Sequence, residues 1–189
     1  PLATGAAAAI LHYLRDTQRT ALDHLERPAF YNRADALILD ATTVRNLELV
    51  EPLFAGESKE STLLHVLDRT RTGMGGRLIR QRILRPSLSL PEIQLRLDAV
   101  EEIFCSTIAR AEITRKLERV LDIERLIGRL SLGTAGAREL LALGRSLAII
   151  PELKKDTGKL QSERLRQIHE GLDEIAELRD AILNAVSEE

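Results

Sequence analysis

The sequence predicts a mainly α-helical protein with one small β element, and three observations carry that reading. Leu, Ile, Ala, Arg and Glu dominate, while aromatic residues make up only 3% of the chain and tryptophan is absent, a balance that favours packed helices over a β-sandwich. Apolar residues recur at three- and four-residue steps along most of the chain, as amphipathic helices require. Between these stripes stand residues suited to begin or end helices, among them Thr4, Asp40, Thr72, Ser89, Asp122 and Pro151.

Taken in order, Thr4 caps a first helix reaching about Leu25, with Ala7, Leu11, Leu14, Ala21 or Leu22, and Leu25 on one stripe and Pro28 past its end. Ala36–Asp40 alternates in strand fashion, Asp40 caps a single turn over Ala41–Arg45, and Leu47–Val50 extends again. This is the β element, near residues 36–50. Pro52–Lys59 reads as a loop, and Ser61 or Thr62 starts a short helix through Leu67. Ser89–Glu92 has the form of a capping box with Pro91 in the first turn. The helix it opens buries Ile93, Leu97, Val100 and Phe104. Ile113, Leu117, Val120 and Leu121 mark another helix, and Asp122 caps a third that ends at Gly133. Thr134 caps the next, which carries Leu140, Leu143 and Leu147 and stops at Pro151. Leu165, Ile168, Leu172, Ile175 and Ile182 then keep a near-heptad rhythm, broken at Gly171–Asp173.

The stretch around which these elements gather is Thr70–Pro86, T-R-T-G-M-G-G-R-L-I-R-Q-R-I-L-R-P. Thr72 caps its helix and Pro86 ends it by turning Arg85 away from helical angles. Gly73, Gly75 and Gly76 in the first turn each cost about 1 kcal/mol relative to alanine, which points to a close approach by another backbone. Met74 and Leu78 share one side, Ile79 and Ile83 the opposite one, and Leu84 a third, so the helix is expected inside a bundle. Arg69, Arg71, Arg77, Arg80, Arg82 and Arg85 fall here with no acid between Asp68 and Glu92. Guanidinium groups keep their charge and must find carboxylates or carbonyls when drawn inward. Arg69, Arg71, Arg80, Arg82 and Arg85 are also candidates for weak, sequence-blind phosphate contact.

This phrase, continuing to P-E-I-Q-L-R-L-D-A-V-E-E-I, resembles the core-domain signature of the MutS family of DNA mismatch-recognition ATPases. L-I-L-D-A-T-T-V-R-N-L-E-L (Leu37–Leu49) and A-I-L-H-Y-L-R-D-T-Q (Ala9–Gln18) match the start of the same domain and the helix leading out of the family's connector domain. The resemblance implies a multi-helix core/lever domain of MutS type. Residues 1–27 would be the helix from the connector, 28–60 a short β element and loop, and 61–189 the first half of the helical core/lever. It carries over as structural positions Asp40, Asn46, Leu47, Glu48, Thr72, Gly73, Met74, Gly76, Arg77, Leu78, Pro86, Arg96 and Asp98. A charged pairing of Arg45 or Arg96 with Glu48 or Asp98 is conceivable. In the full-length parent the resemblance implies ATP and Mg as cofactors, with none bound here. It also implies mismatched DNA and the remaining domains of the chain as partners, a homodimer, and a cytoplasmic, nucleoid-associated location. The segment's role would be to couple mismatch binding to ATP binding and hydrolysis, and its open apolar faces would let it self-associate. The alternatives are a free-standing helical interaction module and a basic-patch nucleic-acid binder.

No reactive centre is legible. There is no G-x-x-x-x-G-K-[ST] loop to cradle phosphates, so no catalytic or cofactor-binding residue is assigned and the segment is not expected to be an enzyme. His12, His24, His65 and His169 are scattered, and with Cys105 they compose no metal site. Cys105 reads as a small buried hydrophobe. Glu118, Asp122, Glu124 and Arg125 read as ordinary surface charge. A formal charge of −2 gives no global attraction to polyanions. The single cysteine fits a reducing compartment, and no apolar run is long enough to span a membrane. With no methionine at Pro1, the chain reads as a piece of a longer protein.

Overall fold

Alanine-rich sequence starts the chain as a helix, α1 (Leu2–Gln18), in the computed structural model, which describes residues 2–18, 36–54 and 56–186. Thr4 lies inside the first turn rather than capping it, because the alanines around it favour helix from Leu2 onward. The predicted extension to Leu25 falls outside the described residues. The chain divides into two units, Pro1–Asn32 and Arg33–Glu189. The second unit is mainly α, as the composition and periodicity predict.

The β element near 36–50 reduces to a single antiparallel bridge between Ala36 and Ser87, with the Leu37 amide donating to the Pro86 carbonyl at 2.8 Å. Asp40 does cap a turn, α2 (Ala41–Asn46), accepting from the Thr43 amide at 2.6 Å. Beyond α2 the chain turns and forms no second strand. Glu48 adopts φ +47, and the Glu48 and Leu49 carbonyls accept from the Leu63 and Leu64 amides. Those amides open α3 (Leu63–Leu67) and have no partner within it. The extended-looking Leu47–Val50 thus closes a helix start instead of joining a sheet.

Eight further helices build the core region among the described residues. They are α4 (Gly73–Leu84), α5 (Leu90–Cys105), α6 (Thr107–Leu117), α7 (Ile123–Ser131), α8 (Ala137–Leu147), α9 (Ile150–Thr157) and α10 (Glu163–Gly171); α11 (Ala176–Ala185) closes the chain. Two buried clusters hold them together. Val120, Ile149 and Leu153 form one, with Met74, Ile113, Leu117 and Ile123 against it. Leu143, Leu147 and Ile182 form the other, where α8 meets α7 and α11.

Several boundaries differ from the sequence reading for identifiable reasons. Pro151 lies in the first turn of α9, where its missing N–H costs nothing, so it opens a helix rather than ending one. Thr134 does not cap α8. The Gly133 and Thr134 amides fold back to the Leu130 and Arg129 carbonyls at the end of α7, a Schellman arrangement with Gly133 at φ +65. The box at Ser89 is half-made: Ser89 Oγ accepts from the Glu92 amide, while the Glu92 carboxylate is taken by Arg96 and Arg164. The break after α10 spans Leu172–Ile175, and Ile175 is left-handed at φ 40. Leu97, Val100 and Phe104 are 56%, 66% and 72% exposed rather than buried, and α5 buries Ala99 instead. Likewise α4 has no buried residue; Met74 reaches the core while Leu78 is exposed. Cys105 is exposed.

Candidate functional site

The glycine-rich turn is built outward from Asp68. Its Oδ1 accepts from the Thr70 amide (3.0 Å) and hydroxyl (2.6 Å), which hold its carboxyl below the usual range. Thr72 then turns the chain into α4, its Oγ accepting from the Gly75 amide at 3.0 Å. The turn carries Arg77 to the N-terminus of α7. There Nη1 and Nη2 donate to Asp122 Oδ2 and Oδ1 at 2.6 and 2.8 Å, and Nε donates to Glu124 Oε2 at 3.1 Å. A planar fork facing a carboxylate in this way fixes orientation as well as distance. Asp122 also caps α7 by accepting from the Arg125 amide. Arg77, helped by that amide and the Arg125 charge, outweighs burial and brings the Asp122 carboxyl down to about 2.

Gly73 is required by this junction. A Cβ there would lie 2.6 Å from Asp122 Oδ2, closer than a carbon approaches an oxygen unless one of them moves. The close neighbour is therefore a side-chain carboxylate, not the second backbone that the sequence suggests. Gly76 differs, since a Cβ there would meet Thr70 and Asp68 oxygens at 3.5 and 3.6 Å, ordinary contact distances.

Behind the junction lies polar wiring that the sequence did not reveal. Ser146 on α8 is fully buried; its Oγ accepts from the Leu121 amide at 3.1 Å and donates to the Ala142 carbonyl. It thereby satisfies the linker between α6 and α7. Lys116 on α6 donates to Asp156 on α9, with side chains only 14% and 5% exposed, and this contact foremost holds the Asp156 carboxyl below its ordinary value. Glu102 on α5 accepts from the Gln161 and Ser162 amides, both at 2.7 Å, ahead of α10. Burial opposes its ionisation, but these amides prevail and lower its pKa.

The structural positions divide accordingly. Gly73 and Arg77 meet Asp122, Thr72 caps the turn, Met74 packs against the Val120 cluster and Gly76 faces Thr70 and Asp68, whereas Leu78 is exposed. Asp40, Asn46, Leu47 and Glu48 form the α2 turn, and Pro86 accepts from Leu37. Arg96 pairs with Glu92, and Asp98 accepts from Gln94. Neither makes the conceived partnership with Arg45 or Glu48. Asp122 and Glu124, read as surface charge, are the anchors of Arg77. Only the capping position of Asp122 hinted at this.

Four of the five candidate phosphate arginines line three hollows, and Arg69 lines two of them, one with Arg71 and one with Arg80. Arg69 and Arg71 line a cleft against α6, where Arg71 meets Glu118 at 3.4 Å. Arg80 lines a hollow with Val50 and His65, Arg82 faces a groove beside α5, and Arg85 caps the end of α4. Among the described residues no His/Cys/Asp/Glu group is arranged to hold a metal, and no helix is long and apolar enough to cross a membrane.

The model of MutS domain III matches residues 42–189. DNA mismatch repair protein MutS of Solibacter usitatus is 56% identical over 191 aligned residues, covering 99% of this chain and 22% of that protein. The proteins of the same name from Myxococcus xanthus and Methanothrix thermoacetophila are 43% and 41% identical, each over 21% of its own length. The chain thus spans about a fifth of the relatives it matches. Its helical core, its glycine-rich turn and this likeness agree: the chain belongs to the MutS family and carries its domain III.

Proposed function

We propose that this chain is the connector exit (1–27), core start (28–60) and first half of the core/lever (61–189) of a mismatch-repair protein. Its work is mechanical: it couples mismatched-DNA binding to ATP binding and hydrolysis in the full-length parent, which takes ATP and Mg, acts as a homodimer and works on the nucleoid. One observation carries the reading. Arg77 ties the start of α4 to the capped start of α7 through a bidentate bond across 45 residues of sequence. Helices joined by such a fixed fork move as a body, and rigid-body shifts transmit between distant sites.

Coupling of this kind is reciprocal, so DNA must alter nucleotide affinity by the factor by which nucleotide alters DNA affinity. In the full-length parent, Gly73→Ala and Gly76→Leu are expected to reduce that factor more than they reduce DNA affinity alone. The check is nucleotide affinity measured with and without mismatched duplex. A loss of the same size in both quantities would count against a relay.

A further inference from the structure

The glycine-rich turn and α6 enclose an open cleft of about 690 Å³ in which four guanidinium groups meet, those of Arg69, Arg71, Arg110 and Arg115. The first two leave the turn at alternate residues. The other two share one face of α6, where Thr107, Arg110, Ala111, Thr114 and Arg115 follow three- and four-residue steps. Ala111 between them ends at its methyl and leaves the space open. One carboxylate, that of Glu118, lines the cleft. It meets Arg71 at 3.4 Å with both side chains about half exposed, a pairing of little strength. Arg110 donates to the Phe104 carbonyl, which carries no formal charge. Arg69 and Arg115 have no ion pair among the described residues. Asp68 stands outside the lining, its Oδ1 held by the Thr70 amide and hydroxyl. Like charges gathered in this way repel one another, and an anion seated among them relieves the repulsion. The Thr70 and Thr114 hydroxyls donate to Asp68 and to the Arg110 carbonyl. Thr107 therefore keeps a hydroxyl hydrogen for a ligand, at the positive end of the α6 dipole.

We propose that this cleft binds a compact oligophosphate anion of the pyrophosphate or tripolyphosphate class. Four guanidinium groups less the one carboxylate leave the lining at +3, and two linked phosphates carry about three to four negative charges. Each guanidinium presents a planar fork that matches a pair of phosphate oxygens, and linked phosphates offer several such pairs within a small volume. The lining holds no aromatic side chain, so nothing there stacks a base, and a nucleoside attached to the phosphates adds no contact. The same lack, and the concave form of the cleft, favour a compact anion over a nucleic-acid strand. The site goes beyond the relay reading and does not depend on it.

Calorimetric titration of the chain with sodium tripolyphosphate tests the site, with inorganic phosphate, ATP, a single-stranded oligothymidylate and a hexaglutamate peptide as comparisons. Tripolyphosphate is expected to bind at least about tenfold tighter than phosphate, to weaken as salt rises, and to be matched or exceeded by none of the other three. Arg69→Gln/Arg115→Gln is expected to weaken it by at least about tenfold. Arg138→Gln/Lys155→Gln removes the same charge from exposed positions outside the cleft and is expected to leave binding unchanged. Ala111→Glu places a carboxylate in the cleft and is expected to abolish binding. Ala111 is exposed, so this variant carries the test by itself if the arginine variant fails to fold. Absence of tripolyphosphate binding, or equal losses in the two double variants, overturns the proposal. So does tighter binding of ATP, oligothymidylate or hexaglutamate that Ala111→Glu abolishes, since the cleft would then read a nucleotide, a nucleic-acid backbone or an acidic peptide. None of these outcomes bears on the nucleotide–DNA coupling measurement, so the two readings fail separately.

Discussion

Gly73 and Gly76, three residues apart in one turn, are expected to respond oppositely to alanine. At Gly76 the added methyl finds ordinary contacts, and alanine's helix preference should stabilise the chain by up to about 1 kcal/mol. At Gly73 the methyl must displace the Asp122 carboxylate from the Arg77 fork. Overpacking of this kind costs about 1–3 kcal/mol and exceeds the propensity gain. Denaturant midpoints of the two variants, moving in opposite directions, check the pair. The same junction sets a pH response. Asp122 titrates near 2 when folded against about 3.9 when unfolded. Its contribution is therefore complete above the unfolded value and is lost as pH falls through the folded one. Acid titration of Asp122→Asn should show a shallower loss of stability below about pH 4 than the parent sequence. Some loss will remain, because Asp156 and Glu102 are also held below their ordinary values.

At the scale of elements, caps were the most legible features. Asp40, Thr62, Thr72 and Asp122 each accept from the amide three residues on, as their side chains and positions predict. Contacts between helices were not legible, because period shows which face is apolar and not what meets it. Gly144 shows the difference. A Cβ there would lie 2.8 Å from Ile182 Cγ2 and 3.0 Å from Leu183 Cδ2, where α8 and α11 touch. Gly144→Ala should therefore destabilise by about 1–3 kcal/mol despite its better helix propensity. Ser146→Ala should cost about 1 kcal/mol by removing the acceptor of the Leu121 amide. Thermal melts of both variants decide the matter. A neutral Ser146→Ala would mean that the α6–α7 linker finds another acceptor.

Across the whole molecule, burial is concentrated where α8 meets α7 and α11 and where α9 meets Val120. Hydrogen exchange should be slowest at Leu143–Leu147 and Leu153, and fastest along α1, where no residue from Leu2 to Thr17 is buried. Uniform exchange across all of these would contradict the two-cluster core. The sequence alone determined the helical class, the caps at Asp40, Thr72 and Asp122, the break near Gly171–Asp173 and the family, because local propensity, hydrophobic period and motif spacing are properties of neighbouring residues. Only the tertiary structure decided that Arg77 grips Asp122 and Glu124, that Arg69 lines one hollow with Arg71 and another with Arg80, and that the apolar stripe of α5 is exposed. Each of these depends on which distant element comes to rest against which face, and no local pattern encodes that choice.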